Sequence, residues 1–136
     1  MDKRSPAAPG AHPEGAASEA AFVSSAVARY IRISPQKARL VADLVRDRYV
    51  GEALTILRHG EKRKASAVIE KTLRSAIANA QNKVPAVDVD NLYVARIYVD
   101  QGPQFKRIRP APMGRAFRIL KRTSHVHVYL QDRKGR

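Results

Sequence analysis

Two segments that alternate apolar and polar residues, LYVARIYVD from residue 92 and TSHVHVYLQ from residue 123, enclose a stretch that neither a helix nor a core can absorb. That stretch, GPQFKRIRPAPMGRAFRILKR (residues 102–122), carries Lys106, Arg107, Arg109, Arg115, Arg118, Lys121 and Arg122 and not one Asp or Glu. Pro110, Pro112 and Gly114 sit near its middle, where a chain reverses. The geometry this predicts is a long hairpin. Residues 91–99 and 123–130 pair within the body, and residues 100–122 continue outward. At about 3.3 Å per residue, ten residues an arm reach roughly 30 Å beyond the core. A lone two-stranded ribbon is marginal in water, so this one must lie against something.

The rest of the composition says what that something is. The chain has 136 residues, enough for one modest core, and a net charge of +14. Half of that excess lies in residues 101–122. Self-repulsion on this scale is relieved by a polyanion, either nucleic acid or an anionic membrane. Cysteine is absent, which excludes disulfides and thiolate metal sites. No apolar run approaches the ~20 residues that span a bilayer. Lys3 and Arg4 are followed by no apolar segment, so no secretory signal is expected.

Residues 1–21 are rich in Ala, Pro and Gly and poor in large apolar groups, which reads as a disordered extension. In VARYIRI, Val27, Ile31 and Ile33 alternate with Ala28, Tyr30 and Arg32, a short half-buried strand with Arg29 on its apolar face. Ser34 and Pro35 form a favoured helix start. That helix is expected to run to about Arg48, with Ala38, Val41, Leu44 and Val45 inward. GEALTILRHG (51–60) predicts one or two helical turns with Leu54 and Leu57 inward. Over 61–83, Val68, Ile69, Leu73, Ala76, Ile77 and Ala80 recur at three and four, the pattern of an amphipathic helix. Val84-Pro85 ends it. In 92–100, plain alternation sets Leu92, Val94, Arg96, Tyr98 and Asp100 on one face and Tyr93, Ala95, Ile97 and Val99 on the other. Val126, Val128 and Leu130 oppose His125, His127 and Tyr129 in the last strand, and 133–136 form a polar tail.

The candidate chemistry is phosphate recognition. Arg forks two hydrogen bonds to a phosphate and Lys supplies a mobile charge. On a narrow ribbon both faces are open to it, and Phe105 and Phe117 near the tip can stack on unpaired bases. A second basic group, Arg29, Arg32, Lys37 and Arg39, surrounds the turn into the first helix, whose N-terminal amides also favour phosphate. Lys62, Arg63 and Lys64 open the long helix, at the end where positive charge is unfavourable. His125 and His127 share a strand face at a metal-compatible spacing, but no third ligand accompanies them, so a metal is not expected. Asp88 and Asp90 lack a basic or nucleophilic partner in sequence, and no phosphate-cradling loop or nucleophile elbow is present. Three readings follow from these features: a structural RNA-binding protein, a free DNA-compacting or regulatory protein, or an RNA-modifying enzyme. The last lacks any candidate catalytic constellation, and a free DNA-binding protein would not need RNA to order its ribbon.

ARYIRISPQKARLVADLVR, SAIANAQNK and DQGPQFKRIRPAPMGRAFRILKRTSH closely resemble the bacterial large-subunit ribosomal protein twenty-two family, over about Phe22 to Asp132. The resemblance implies an α+β fold: a small three-stranded antiparallel sheet packed on three helices, with a protruding hairpin. It implies a single domain over 22–132 that binds 23S rRNA, touches several rRNA domains, assists early subunit assembly and lines the nascent polypeptide exit tunnel. Its partners would be 23S rRNA, neighbouring large-subunit proteins including the tunnel loop of protein four, and the nascent polypeptide. No cofactor, catalysis, membrane or homo-oligomer is implied, and the location would be the cytoplasmic ribosome. Carried onto this chain, the RNA contacts fall on Arg32, Ser34, Lys37, Arg39, Lys106, Arg107, Arg109, Arg115, Arg118, Lys121 and Arg122, with Thr123, Ser124 and His125 at the hairpin base. The tunnel tip comprises Arg109, Pro110, Ala111, Pro112, Met113 and Gly114. The family commonly carries a basic residue where Ala111 stands, and often another where Met113 stands.

Overall fold

The computed structural model describes residues 22–133; the expected extension (1–21) and all but the first residue of the expected tail (133–136) lie outside the described residues. Along the chain run β1 (Ser24–Ile31), α1 (Pro35–Val45), α2 (Val50–His59), α3 (Arg63–Lys83), a short turn at Val89–Asn91, β2 (Leu92–Pro110), a tight turn at Pro112–Gly114, and β3 (Ala116–Asp132). The three strands form one antiparallel sheet in the order β1-β3-β2. This is the α+β architecture expected from the resemblance.

Each element begins and ends for local reasons. Ser34 caps α1, its hydroxyl oxygen accepting from the Lys37 N–H at 3.4 Å, with Pro35 as the first helical residue. The helix stops at Val45, short of the expected Arg48, because the chain turns to pair with β2. Asp47 adopts φ 61°, its N–H donates to the Val94 carbonyl at 2.9 Å, and the Val94 N–H donates to the Arg48 carbonyl at 2.9 Å. The long α3 buries Ile69, Leu73, Ala76 and Ala80 at helical spacing, as expected, together with Ala65, and Val68 and Ile77 pack against the core as half-buried neighbours.

All three helices contribute to one face of the sheet, where Ile69 and Leu73 meet Val94, Ile97, Val126, Val128 and Leu130 in a continuous core. Each large aliphatic side chain fully buried there contributes about 1.5–3 kcal/mol. Two hydrogen bonds fasten β1 to α3: the Ser24 hydroxyl to the Ala76 carbonyl (2.8 Å) and the Asn79 amide to the Ser25 carbonyl (3.0 Å).

Three expectations about facing are corrected by the structure. Leu44 does not point inward; it is 54% exposed, and Ala42 takes its place in the core. In β1 the buried face is Ser24 and Ala26, not Val27, and a register shift between Ala28 and Ile31 re-phases the strand, with Tyr30 at φ 56° inside it. In β2, a shift between Val94 and Arg96 moves the buried set from Leu92 and Val94 to Ile97 and Val99. One extra residue in a strand exchanges its two faces, so Arg96 and Tyr98 end on the open side of the sheet.

Candidate nucleic-acid interface

Beyond the core, β2 and β3 run on as a two-stranded ribbon. A third register shift, between Gln101 and Gln104, marks its root. Gly102 lies so close to β3 that a Cβ there would stand 2.5 Å from Thr123 Oγ1 and 3.3 Å from the His125 ring. The Thr123 hydroxyl donates to the Pro103 carbonyl at 2.6 Å, fixing the angle at which the ribbon leaves the body. Gly102, Pro103 and Thr123 thus form a stiff collar. Arg32 reinforces it from the turn after β1, its guanidinium 5.5 Å from the Phe105 ring centroid.

Five successive rungs above the collar share one composition. Phe105 pairs with Lys121, Lys106 with Leu120, Arg107 with Ile119, Ile108 with Arg118, and Arg109 with Phe117. Each joins one cation to one apolar residue. Cross-strand partners share a face, so both faces of the ribbon present cations interleaved with apolar or aromatic side chains. Ile108, Phe117 and Phe105 are exposed, with no core of their own to enter. The ribbon closes through Ala111–Arg115, where the Ala111 N–H donates to the Arg115 carbonyl at 2.9 Å. Met113 and Gly114 hold consecutive left-handed conformations (φ 62° and 68°), and the Met113 side chain is 95% exposed at the apex. Gly adopts that backbone freely and Met does not, so the apex carries some strain.

The collar opens on one side into a groove of about 730 Å³ against the start of α1, lined by Ser34, Pro35, Lys37, Arg39, Gln101 and Arg122 among others. The fold therefore brings Ser34, Lys37 and Arg39 together with Arg122, from the far end of the sequence. Arg39 is partly committed: its Nε and Nη2 both donate to the Val99 carbonyl, at 3.2 and 3.0 Å. Arg46 does the same for the Ile97 carbonyl at 3.0 Å. Together these two guanidiniums cap the outer edge of β2. Gln101 and Leu120 also face the groove, and no periodicity in the sequence singles them out.

Not all candidate residues face outward. Thr123 and Ser124 are 2% and 0% exposed, so their hydroxyls lie inside the collar rather than on its surface. His125 is half-buried, and its Nδ1 accepts from the Tyr30 N–H at 3.0 Å, tying the β1 irregularity to β3. Tyr30 itself is exposed and meets the His125 ring edge-on at 5.0 Å. On the open face of the sheet, Tyr98 stacks on His127 (4.5 Å, 12° between planes), and the Arg96 guanidinium covers Tyr98 at 5.2 Å. Burial pushes the Tyr98 phenol well above its usual range, helped by its hydrogen bond with Tyr129. Burial holds the His127 imidazole below its usual pKa, against the pull of Asp100, whose carboxylate lies 3.3 Å from Nε2. Both histidines are thereby engaged in local contacts, and among the described residues no group of three His, Cys, Asp or Glu converges on a metal-sized site.

A compact helix-backed sheet that extends an acid-free, two-faced basic ribbon is built as a component of a larger ribonucleoprotein, and the comparisons with known proteins agree: this is a ribosomal protein of the large subunit. The chain belongs to the family of ribosomal protein L22p/L17e, whose sequence model matches residues 26–131. It is 55% identical over 110 residues to the large ribosomal subunit protein uL22 of Solibacter usitatus (strain Ellin6076), covering 81% of this chain and 96% of that one. It is 53% identical over 109 residues to the protein of the same description from Halothermothrix orenii (strain H 168), covering 80% and 95%.

Proposed function

We propose that this chain is a structural rRNA-binding protein whose ribbon is inserted into folded 23S rRNA and lines the nascent polypeptide exit tunnel. The single observation that carries the reading is the run of five cation–apolar rungs with side chains open on both faces. An element meant to lie on a surface needs cations on one face only. One wrapped by polynucleotide needs them on both, and needs apolar groups to meet base and sugar surfaces. The groove formed by Ser34, Lys37, Arg39 and Arg122 supplies a second phosphate contact at the ribbon's base. The ribbon runs on from this groove for roughly 17 Å, about 3.3 Å for each residue from Arg122 to Phe117 at the last rung, so one chain would touch successive rRNA segments, which is the property that assists early assembly. The apex, Arg109 to Gly114, then faces the tunnel and the nascent chain, near the corresponding loop of protein four. The role is structural, with no chemical step, and the site of action is the cytoplasmic ribosome.

The test is subunit reconstitution with the charge-reversed chain Lys106→Glu/Arg107→Glu/Arg109→Glu. Impaired incorporation into the large subunit, with the body still folded by circular dichroism, is the expected result. Stoichiometric incorporation and unchanged rRNA protection would overturn the reading.

A further inference from the structure

Where β1 loses register, two of its residues stand against one of β3. Ala28 pairs with Val126 and Ile31 with Ser124, so Arg29 and Tyr30 together oppose His125. Tyr30 takes up the extra residue at φ 56°, a left-handed backbone that is costly for an aromatic residue and that Gly or Asn adopts more readily. A bulge of this kind re-aims a side chain. Here the side chain is an aromatic ring held away from the core: Tyr30 is 67% exposed, and its ring meets His125 edge-on, with 89° between planes. His125 is a firm base for it. The imidazole is fixed between the Tyr30 N–H, which donates to Nδ1 at 3.0 Å, and Gly102 at the ribbon root, where no side chain intervenes.

Cations flank the ring. Arg29 and Arg32 are exposed, and neither forms an ion pair with a carboxylate among the described residues. Arg29 is near enough to His127 for its charge to oppose protonation of that imidazole, which sets it on the open face of the sheet. Arg32 lies over the Phe105 ring, and Phe105 pairs with Lys121 on the ribbon. Asp100, which pairs with His125 across the strands, has its carboxylate 3.3 Å from His127 Nε2. For the fold alone, Asn or Gly would serve better than tyrosine at this backbone, and an outlier kept at such a position points to a task.

We propose that Tyr30 is a stacking site for one unpaired base of the rRNA, with Arg29 and Arg32 on the phosphates to either side of that nucleotide. This rests on the rRNA-binding reading above and adds to it a residue that the pattern of charges does not select. The ligand is an unpaired nucleotide because a paired base keeps its faces within the helix stack, whereas an extruded one is held by an aromatic surface and by cations along its backbone. Guanidiniums suit those phosphates, since each forks two hydrogen bonds to one group.

The full chain is tested with Tyr30→Phe, which keeps the ring, and Tyr30→Asn, which suits the left-handed backbone and removes it. Filter binding to 23S rRNA should place Tyr30→Phe within about twofold of the parent chain. Tyr30→Asn should bind about 5- to 150-fold more weakly, the range for losing one base–aromatic stack. Its salt slope should be that of the parent, since no charge is lost, while Arg29→Ala and Arg32→Ala should each lower the slope by about 0.7. Its urea midpoint should equal or exceed the parent's. Tyr30→benzoylphenylalanine, in reconstituted subunits under ultraviolet light, should give a nuclease-sensitive adduct to rRNA, and this decides the matter even where Tyr30→Asn unfolds. Parent-like affinity for folded Tyr30→Asn, an adduct to a polypeptide, or no adduct would each overturn the proposal and leave the rRNA-binding reading standing. Failure of the parent chain to bind 23S rRNA would overturn both.

Discussion

The Thr123 hydroxyl oxygen stands 2.5 Å from the point where a side chain on Gly102 would begin. Thr123 is buried and its hydroxyl is already committed to the Pro103 carbonyl, so it has no free direction in which to yield. Gly102→Ala should therefore push Thr123 off that carbonyl and destabilise the body by about 1–3 kcal/mol, the range for orphaning a buried polar group. Urea unfolding measures it. In the double variant with Thr123→Ala the two losses should be clearly less than additive, since both act on one interaction.

Charge on the ribbon is predicted to serve binding and not folding. Removing Lys106, Arg107 and Arg109 together should lower the salt dependence of rRNA binding by about two to three in slope, near 0.7–0.9 for each phosphate no longer neutralised. Filter binding across a salt series, with unfolding of the isolated chain alongside, reads both properties. A large drop in stability would contradict the separation of ribbon from body.

Two leucines with similar helical positions should behave oppositely. Leu73→Ala in α3 empties a site that is 1% exposed and should cost about 2–5 kcal/mol. Leu44→Ala in α1 removes a side chain that is more than half exposed, and should cost under about 1 kcal/mol. Denaturant midpoints of the two variants are sufficient to check this.

His127 should make the body sensitive to mild acid. Burial places its folded pKa below the unfolded value of about 6.5, so the unfolded chain takes up the proton first as pH falls. Stability is then full above that value and declines as pH drops through and below it. Asp100 favours the protonated form and moderates the decline; His125 and Arg29 oppose protonation and deepen it. The urea midpoint should fall between about pH 7.5 and 5.5, and His127→Gln should flatten that part of the profile.

The helices and the ribbon are legible in the sequence because their signals are local: Ser34-Pro35, the three-and-four spacing around Ile69 and Leu73, and Val84-Pro85. The positions of the candidate cations follow from the alternation on each side of the ribbon. Strand phase is not legible. Ala95 and Tyr30 carry no mark of a bulge, since the extra residue is set by how β3 packs against its neighbours, not by the residue inserted. The consequence reaches Val27, Arg96 and Tyr98, whose faces are the reverse of those that plain alternation assigns. A short polar run such as Thr123-Ser124 reads as surface, and only the close approach of Gly102 reveals it as interior. Arg39 carries the marks of a phosphate ligand, while its part in capping Val99 depends on a hydrogen bond across 60 residues of sequence.

The cation–apolar rungs also guard the alignment of the ribbon. Sliding one arm by two residues in one direction would set Lys106 opposite Arg122 and Arg107 opposite Lys121, and in the other direction Lys106 opposite Arg118, on the pairing seen here. Like charges face to face are unfavourable, so each misalignment carries its own repulsion before any polynucleotide arrives. The cations proposed above to grip phosphate would thus also act as the gauge that holds the two arms to one registration.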